Sequence, residues 1–339
     1  MDYINYVKQS PVQGLTGLYG GVQGSLMAAA AGGAPYDGPT FFGARGIGGG
    51  GYPNTADIMY INIASTSNSS DFGDMIASSR ARAGASNGTR GLFMGGRSQS
   101  PGPDTACEYI TITTTGNGTD FGDLIGPING GYSSGASNET YAFAIGGNCC
   151  GDGTDNIQYF TIASAGNGTS FGSLAGSEFG GGSTNNATRC VNAGARGYNE
   201  PAYSKIQYFT MGTSGSASNG GDLTVARGYC AAAMSIPMGR GIWMGGMNPS
   251  TPNINTMDYV DISTTDNATD FGDLNTACNS ISNGGTHNGD GRGIVFGGEV
   301  GGWINEIQYV NINSVSNASD FGDMNSAKAH VTGTSGDAS

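Results

Sequence analysis

Charge is scarce in this chain, and lysine scarcer still: 12% of the 339 residues are charged, three are lysine, and histidine and tryptophan occur twice each. The thirteen basic residues face twenty-six acidic ones, a formal net charge of -13. A phosphate backbone is repelled by such a surface, which excludes nucleic acid as a partner. No apolar run approaches the roughly 20 residues that a spanning helix needs. The opening "MDYINYVKQS" lacks the apolar core of a signal peptide, so membrane insertion is not expected and the product is expected to be made in the cytoplasm. No CxxC pair occurs, and Cys107, Cys149, Cys150, Cys190, Cys230 and Cys278 follow no common spacing, which points to free thiols rather than a disulfide framework.

What fills the space is glycine, 63 residues of it, with Thr, Ile, Tyr and Phe set between Gly/Asn/Ser turns. Helix formers are too few for a helical protein, and this composition belongs to strands and tight turns. Six strand-like segments align: "IMYINI" (58-63), "CEYITI" (107-112), "IQYFTI" (157-162), "IQYFTM" (206-211), "MDYVDI" (257-262) and "IQYVNI" (307-312). Their tyrosines, Tyr60, Tyr109, Tyr159, Tyr208, Tyr259 and Tyr309, lie 49, 50, 49, 51 and 50 residues apart. A period of that length marks a repeat architecture.

Each unit reads as four short strands. An apolar run ending in Gly-Gly, such as "GIWMGG" (241-246), precedes the tyrosine strand; a turn and "DFGD[LM]" follow it; a small-residue segment such as "YCAAAMS" (229-235) leads into the next unit. In "IQYVNI" Ile307 and Tyr309 face one way and Val310 and Ile312 the other, so neither face tolerates water and every sheet must be sandwiched. Six sheets stacked around an axis satisfy this and leave only short, protected edges. The expected fold is all-β, a six-bladed β-propeller over residues 40-339, with small residues on the innermost strands and an extended, non-propeller arm over residues 1-39. The segment at 328-339 is expected to complete the first blade and close the ring, with "LMAAAAGGA" (26-34) the competing source of that strand.

The recurrent "DFGD" sits behind an Asn-x-Ser/Thr turn, as in "NASDFGDM" (317-324). Phe72, Phe121, Phe171, Phe271 and Phe321 occupy one slot, expected between blades. Blade 3 keeps "SFGSL" and blade 4 "NGGDL". A reaction centre is not repeated and eroded in this way, so the motif is read as part of the fold and its asparagines as turn residues rather than glycosylation sites.

The order of Gly-Gly strand, variable loop, tyrosine strand, turn and aromatic strand resembles kelch and galactose-oxidase-type propellers, with Phe where kelch units usually carry Trp. "YITITTTGNGTDFGDLI" (109-125) and its siblings are similar to the repeats of tail-fibre and other virion structural proteins of marine phages, cyanophages in particular. That resemblance implies a virion component, made in the host cytoplasm and released by lysis, with other virion proteins as partners through the arm. Host-surface glycan is a candidate partner, and homo-oligomerisation stays open. Two enzyme resemblances fail residue by residue. A copper site of the oxidase type needs two histidine ligands, and His287 and His330 stand in no ligand-like motif. Sialidase-type boxes are matched only in part by "SSDFGDM" (69-75), and the sequence shows no arginine cluster to grip a carboxylate. Glycan processing would need paired carboxylates, and Glu139, Glu178 and Glu200 lie in unrelated loops. The chain is therefore read as non-enzymatic and without a cofactor; a decoration protein with no receptor role and a glycan-processing enzyme are the alternatives.

Recognition is expected in the loops that follow the Gly-Gly strands, which vary most and emerge on one face. Tyr198, Tyr203 and Trp303, with Asn253 and Glu306 among the polar neighbours, are the candidate sugar-binding residues, each ring having packing against the next blade as its alternative role. Asp152 and Asp155 of "GDGTD" are a weak Ca²⁺ candidate, two acids being few for 6-8 oxygens. In the arm, Tyr3, Tyr6, Val7, Leu15, Leu18 and Tyr19 are the candidate anchor into a larger particle.

Overall fold

Antiparallel pairing of β-branched and aromatic strands builds six sheets, each of four strands on its main path except the third, which adds a short edge hairpin. A computed structural model describes residues 43-98, 104-126, 131-149, 152-197, 201-235, 238-281, 285-288 and 291-336. Blade 1 runs, from the axis outward, β25 (Thr332–Gly336), β1 (Arg45–Gly49), β2 (Thr55–Asn62) and β3 (Ser70–Ser79). Blade 2 is β4 (Ala83–Ser86), β5 (Arg90–Gly96), β6 (Asp104–Thr111) and β7 (Thr119–Asp123). Blade 3 is β8 (Ser134–Ser137), β9 (Tyr141–Ile145), β11 (Asp152–Thr161) and β12 (Thr169–Glu178), with β10 (Asn148–Cys149) pairing on β11. Blade 4 is β13 (Gly182–Asn185), β14 (Arg189–Ala193), β15 (Lys205–Thr210) and β16 (Ser218–Asp222). Blade 5 is β17 (Ala231–Ser235), β18 (Arg240–Met244), β19 (Thr256–Asp261) and β20 (Thr269–Asp273). Blade 6 is β21 (Gly285–His287), β22 (Arg292–Glu299), β23 (Trp303–Asn311) and β24 (Ser319–Asp323).

The expected closure is present: β25 pairs antiparallel with β1 from Arg45↔Gly336 to Gly49↔Thr332, so the end of the ring completes its first sheet. The inner strands touch their neighbours around the whole circle. Their small residues follow from crowding: a Cβ on Gly135 of β8 would lie 2.0 Å from the Gly84 carbonyl of β4.

The core is divided among the gaps between blades. Six clusters of buried side chains each draw on two adjacent sheets; one joins Met59, Ile61 and Ile63 of blade 1 to Phe296, Phe321 and Met324 of blade 6. The "DFGD" phenylalanines occupy these gaps as expected, and in five blades the phenylalanine meets its own blade's tyrosine edge to face, at 5.8–6.1 Å between centroids.

Three clasps tie neighbouring blades. The first answers why "DFGD" recurs. The N–H of its second acid donates to the turn asparagine of the next blade at 3.0 Å: Asp74 to Asn117, Asp123 to Asn167, Asp222 to Asn267, Asp273 to Asn317 and Asp323 to Asn68. The motif's glycine permits this approach: at Gly322 φ is +142°, and a Cβ would lie 2.5 Å from the Ser67 carbonyl. Where Asn is replaced by Ser216, its hydroxyl meets that of Ser173 instead, at 3.0 Å. The sequon asparagines are thus turn residues, as expected, and five of them, Asn68, Asn117, Asn167, Asn267 and Asn317, also clasp the neighbouring blade.

In the second clasp, the arginine that begins the second strand lies over its blade's tyrosine and donates to a carbonyl of the next blade. Arg45 reaches Ile112, Arg90 Ile162, Arg189 Ser263, Arg240 Ile312 and Arg292 Ile63, at 2.6–3.0 Å. Blade 3 has Tyr141 there, stacked edge-on against Tyr159. The third clasp uses the buried residue before each tyrosine: Glu108, Gln158, Gln207 and Gln308 accept from the N–H of Ile76, Ile125, Ala175 and Thr276 of the preceding blade.

Candidate binding face

Four antiparallel strands per blade place two kinds of connection at each end of the ring. The turns between first and second and between third and fourth strands, with the asparagine and arginine clasps, form one face, here the clasp face. The loops after the Gly-Gly strands and the connections between blades form the other, the loop face. Paired backbone bridges knit it together: Tyr52 with Ala329, Arg80 with Arg97, Gly131 with Asn148, Phe179 with Arg196, Gly228 with Met247 and Asn279 with Glu299, one per blade.

At the centre of the loop face lies a ring of six residues with left-handed backbone: Ala81, Tyr132, Gly180, Tyr229, Ser280 and His330, with φ between +53° and +70°. Their peptides form a chain of hydrogen bonds around the axis, Tyr132 donating to Ala81, Gly180 to Tyr132, Tyr229 to Gly180, His330 to Ser280 and Ala81 to His330, at 2.6–3.0 Å. Side-chain size alternates around this ring. The small residues Ala81, Gly180 and Ser280 separate Tyr132, Tyr229 and His330, which belong to every second blade. Their rings nevertheless touch, at 5.1 Å for Tyr132–His330, 5.2 Å for Tyr132–Tyr229 and 5.8 Å for Tyr229–His330. Groups anchored on alternate blades meet only over the axis, so the three aromatics close this end of the channel.

Below the plug the channel is lined by all six inner strands and encloses about 70 Å³. Thr184 and Thr286 are buried on it with hydroxyls that bond to no described protein group. A space of this size and polarity suits water rather than a sugar.

Arginines surround the plug. Arg80 stacks on Tyr52, 4.4 Å from its centroid, and donates to Asn54 Oδ1, whose amide nitrogen in turn donates to the Arg97 carbonyl. Arg196 lies 5.9 Å from the rings of both Phe179 and Tyr229. Burial pushes the Tyr229 hydroxyl up to about 12, while burial, reinforced by the charges of Arg80 and Arg97, holds His330 down to about 3. The plug histidine is therefore neutral at ordinary pH, and the arginines carry the positive charge. The sequence-based expectation of no arginine cluster is corrected here. Arg80 from the connection between blades 1 and 2, Arg97 from blade 2 and Arg196 from blade 4 all reach the plug, Arg80 and Arg97 acting on His330 and Arg97 and Arg196 on Tyr229, because the ring brings distant blades to one axis.

The predicted site residues fall out as follows. Trp303 is 43% exposed and packs edge-on against Tyr52 of the neighbouring blade, 5.1 Å between centroids, so it is both a packing residue and an open surface. Tyr203 is half-buried on blade 4 beneath Lys205, which lies 4.8 Å over its ring and forms an ion pair with Glu178. Asn253 is held at 2.7 Å from the Asn279 side chain, and Glu306 accepts from Asn275 at 2.9 Å, so both carry inter-blade contacts. The structure joins none of these four to another; it joins Trp303 to Tyr52, which directly follows the Gly50-Gly51 pair of the first blade and was passed over although it stands at the start of a loop of the same class.

Tyr198 and the arm residues Tyr3, Tyr6, Val7, Leu15, Leu18 and Tyr19 lie outside the described residues. "GDGTD" is corrected from a loop to the start of β11, an extended strand rather than a cage; Asp155 stands within it, and the Asp152 side chain is outside the described residues. Cys107, Cys190, Cys230 and Cys278 are buried free thiols, in keeping with the expectation from their spacing. Among the described residues no three His, Cys, Asp or Glu side chains gather as a metal site would require.

Of the acids invoked for glycan processing, the two that are described stand apart. Glu139 is exposed in a turn of the clasp face, Glu178 is buried among Lys205, Asn192 and Gln207, and Glu200 lies outside the described residues. Burial raises the Glu178 carboxyl despite Lys205. No protein-family model matches the chain, and no curated protein matches it either.

Proposed function

We propose that this protein is a non-enzymatic component of a phage particle, a tail-fibre, tail or capsid appendage. In this reading the arm of residues 1-39 joins other virion proteins, and the propeller turns its loop face toward host-surface glycan. The observation that carries the reading is the placement of the ring's two ends. The chain enters at Arg45 and leaves at Gly336, paired neighbours on the clasp face, so a tether at residue 44 leaves the aromatic and arginine-bearing face pointing away from its attachment. The resemblance of the repeats to phage virion proteins supports the location. The non-enzymatic part rests on how acids are used: Glu108, Glu178, Asp258 and Asp57 are committed to ion pairs with Arg82, Lys205, Arg227 and Lys328, and Glu139 lies exposed on the clasp face away from the buried Glu178.

Purified particles of the encoding phage, labelled with antibody against the propeller, are expected to carry gold on an appendage, and the isolated protein is expected to bind glycans without turning any over. Label confined to infected-cell cytoplasm, or release of reducing ends from a bound oligosaccharide, refutes the reading.

A further inference from the structure

Thirteen basic residues serve the whole chain, and Lys8 lies outside the described residues, leaving twelve. Nine of the twelve hold the fold. Arg82, Arg227, Lys205 and Lys328 form ion pairs, and Arg45, Arg90, Arg189, Arg240 and Arg292 clasp carbonyls of the next blade. The three that remain, Arg80, Arg97 and Arg196, all lie on the loop face around the plug. Among the described residues no carboxylate lies within 4 Å of any of their guanidinium groups, although the chain carries twice as many acids as bases.

We infer that this mouth is a binding site for an acidic saccharide, a sugar whose carboxylate or sulfate is taken by Arg97 and its two companions while its ring lies against Tyr52 and Trp303. The inference rests on the proposed glycan-binding role and specifies its chemistry. Gathering like charges without counter-ions is unfavourable unless an anion completes the cluster, and guanidinium recognises planar or tripodal oxyanions through paired N–H donors. Two of the three are held by neutral groups that orient them and leave the charge intact: Tyr52 and Asn54 for Arg80, Phe179 and Tyr229 for Arg196. Their Nε atoms are buried and bond to no described protein group.

The aromatic part of the site is continuous with this. Tyr52 and Trp303 are 39% and 43% exposed, and Tyr52 joins the two halves by contacting both Trp303 and Arg80. Exposed rings beside hydrogen-bonding groups suit the apolar face and hydroxyl rim of a pyranose. The net charge of -13 opposes any long polyanion approaching elsewhere, so binding depends on this one positive patch.

The test uses the full chain at physiological salt and four probes: oligogalacturonate for the carboxylate, a sulfated dextran oligosaccharide for the sulfate, neutral dextran of the same length, and oligoglutamate as an acidic peptide. Calorimetry is expected to show binding of one or both acidic sugars at least tenfold tighter than neutral dextran and oligoglutamate. Arg97→Glu, an exposed position that the fold does not need, should weaken that binding at least tenfold with an unchanged melting temperature. Trp303→Ala should weaken it severalfold while leaving the steep salt dependence. The inference is overturned if acidic and neutral sugars bind alike, if oligoglutamate binds as well as the sugars, or if Arg97→Glu leaves the affinity of the acidic sugar unaltered. Equal binding of neutral and acidic sugars would sink the charge assignment and leave the glycan-binding reading standing; binding of no sugar at all would sink both.

Discussion

The N–H of Asp323 donates to Asn68 Oδ1 at 3.0 Å, across 255 residues of sequence, and repeats at the junction of the last and first blades the bond that joins Asp74 to Asn117. The closing junction thus shares the asparagine clasp of the interior ones and differs in the third: Met59 stands where other blades carry a polar residue, and Lys328 pairs with Asp57 across the seam instead.

Removing one such bond tests its weight. Asn117→Ala leaves the Asp74 N–H without its acceptor and is expected to cost about 1 kcal/mol. Asn317→Ala, at a distant junction, should cost the same, and the double variant should lose the sum. Denaturant midpoints measure all three, and a double loss no greater than a single one would show that the clasps do not act independently.

Closure on the inner side rests on β25. Deleting residues 332-336 strips the innermost strand from blade 1 and exposes Ile47 and Val331, both fully buried in the intact ring. The truncated chain is expected to lose its single cooperative transition, seen in calorimetry as a broad, low-enthalpy unfolding well below that of the full chain. A sharp transition at the original temperature would mean that another segment supplies the strand.

Arg227 and Asp258 are both fully buried and face each other as an ion pair, with Thr224 donating to the same carboxylate. Arg227→Met leaves a buried charge alone and should cost about 3–5 kcal/mol, whereas Arg227→Met with Asp258→Leu should recover most of it. Chemical denaturation of the two variants decides the matter. Equal losses would show that packing, and not the stranded charge, sets the cost.

Acidification should act through the two histidines. Burial holds His330 and His287 down to about 3 and about 4, against 6.5 when unfolded. The unfolded chain therefore binds more protons between pH 4 and 6.5, so stability rises with pH across that window and is lost as pH falls. The raised carboxyls of Glu178 and Asp258 pull the other way, which makes the difference between variants the informative quantity. His330→Phe keeps a ring in the plug and should reduce the slope of stability against pH by up to about one proton, some 1.4 kcal/mol per pH unit. An NMR titration in which His330 protonates near 6.5 would contradict the assignment.

Thiol reactivity follows burial. The Cys107 and Cys278 thiols are pushed up to about 12 and Cys230 to about 11, with Cys190 raised further. At pH 8 the native protein is expected to shield these four from an aromatic disulfide reagent and release all six on denaturation. Rapid native reaction of more than two thiols would contradict it.

The blades were legible because a propeller writes one strand pattern repeatedly, and Tyr60, Tyr109, Tyr159, Tyr208, Tyr259 and Tyr309 keep its period. The gap-filling phenylalanines and the closing strand followed from the two-sided apolar character of each sheet. The plug was not legible. Ala81, Tyr132, Gly180, Tyr229, Ser280 and His330 share a backbone conformation and no residue type, so composition hides them, although they keep the same period of about fifty residues. Nor were the unpaired arginines: Arg80 and Arg97 lie 99 or more residues from Arg196, and only ring geometry makes them neighbours. A signal was available for the third clasp, since a polar residue precedes the tyrosine in five of the six strands. Trp303 opens β23 just past a variable loop and Tyr203 sits in one, so their surroundings depend on loop paths that the repeat does not encode.

The asparagine and arginine clasps sit on one side of the disc and the variable loops on the other. Replacing a loop leaves both sets of clasps untouched and disturbs only the backbone bridges and side-chain contacts of its own face. Loop positions outside those bridges are thus free to vary without cost to the bonds that hold one blade to the next.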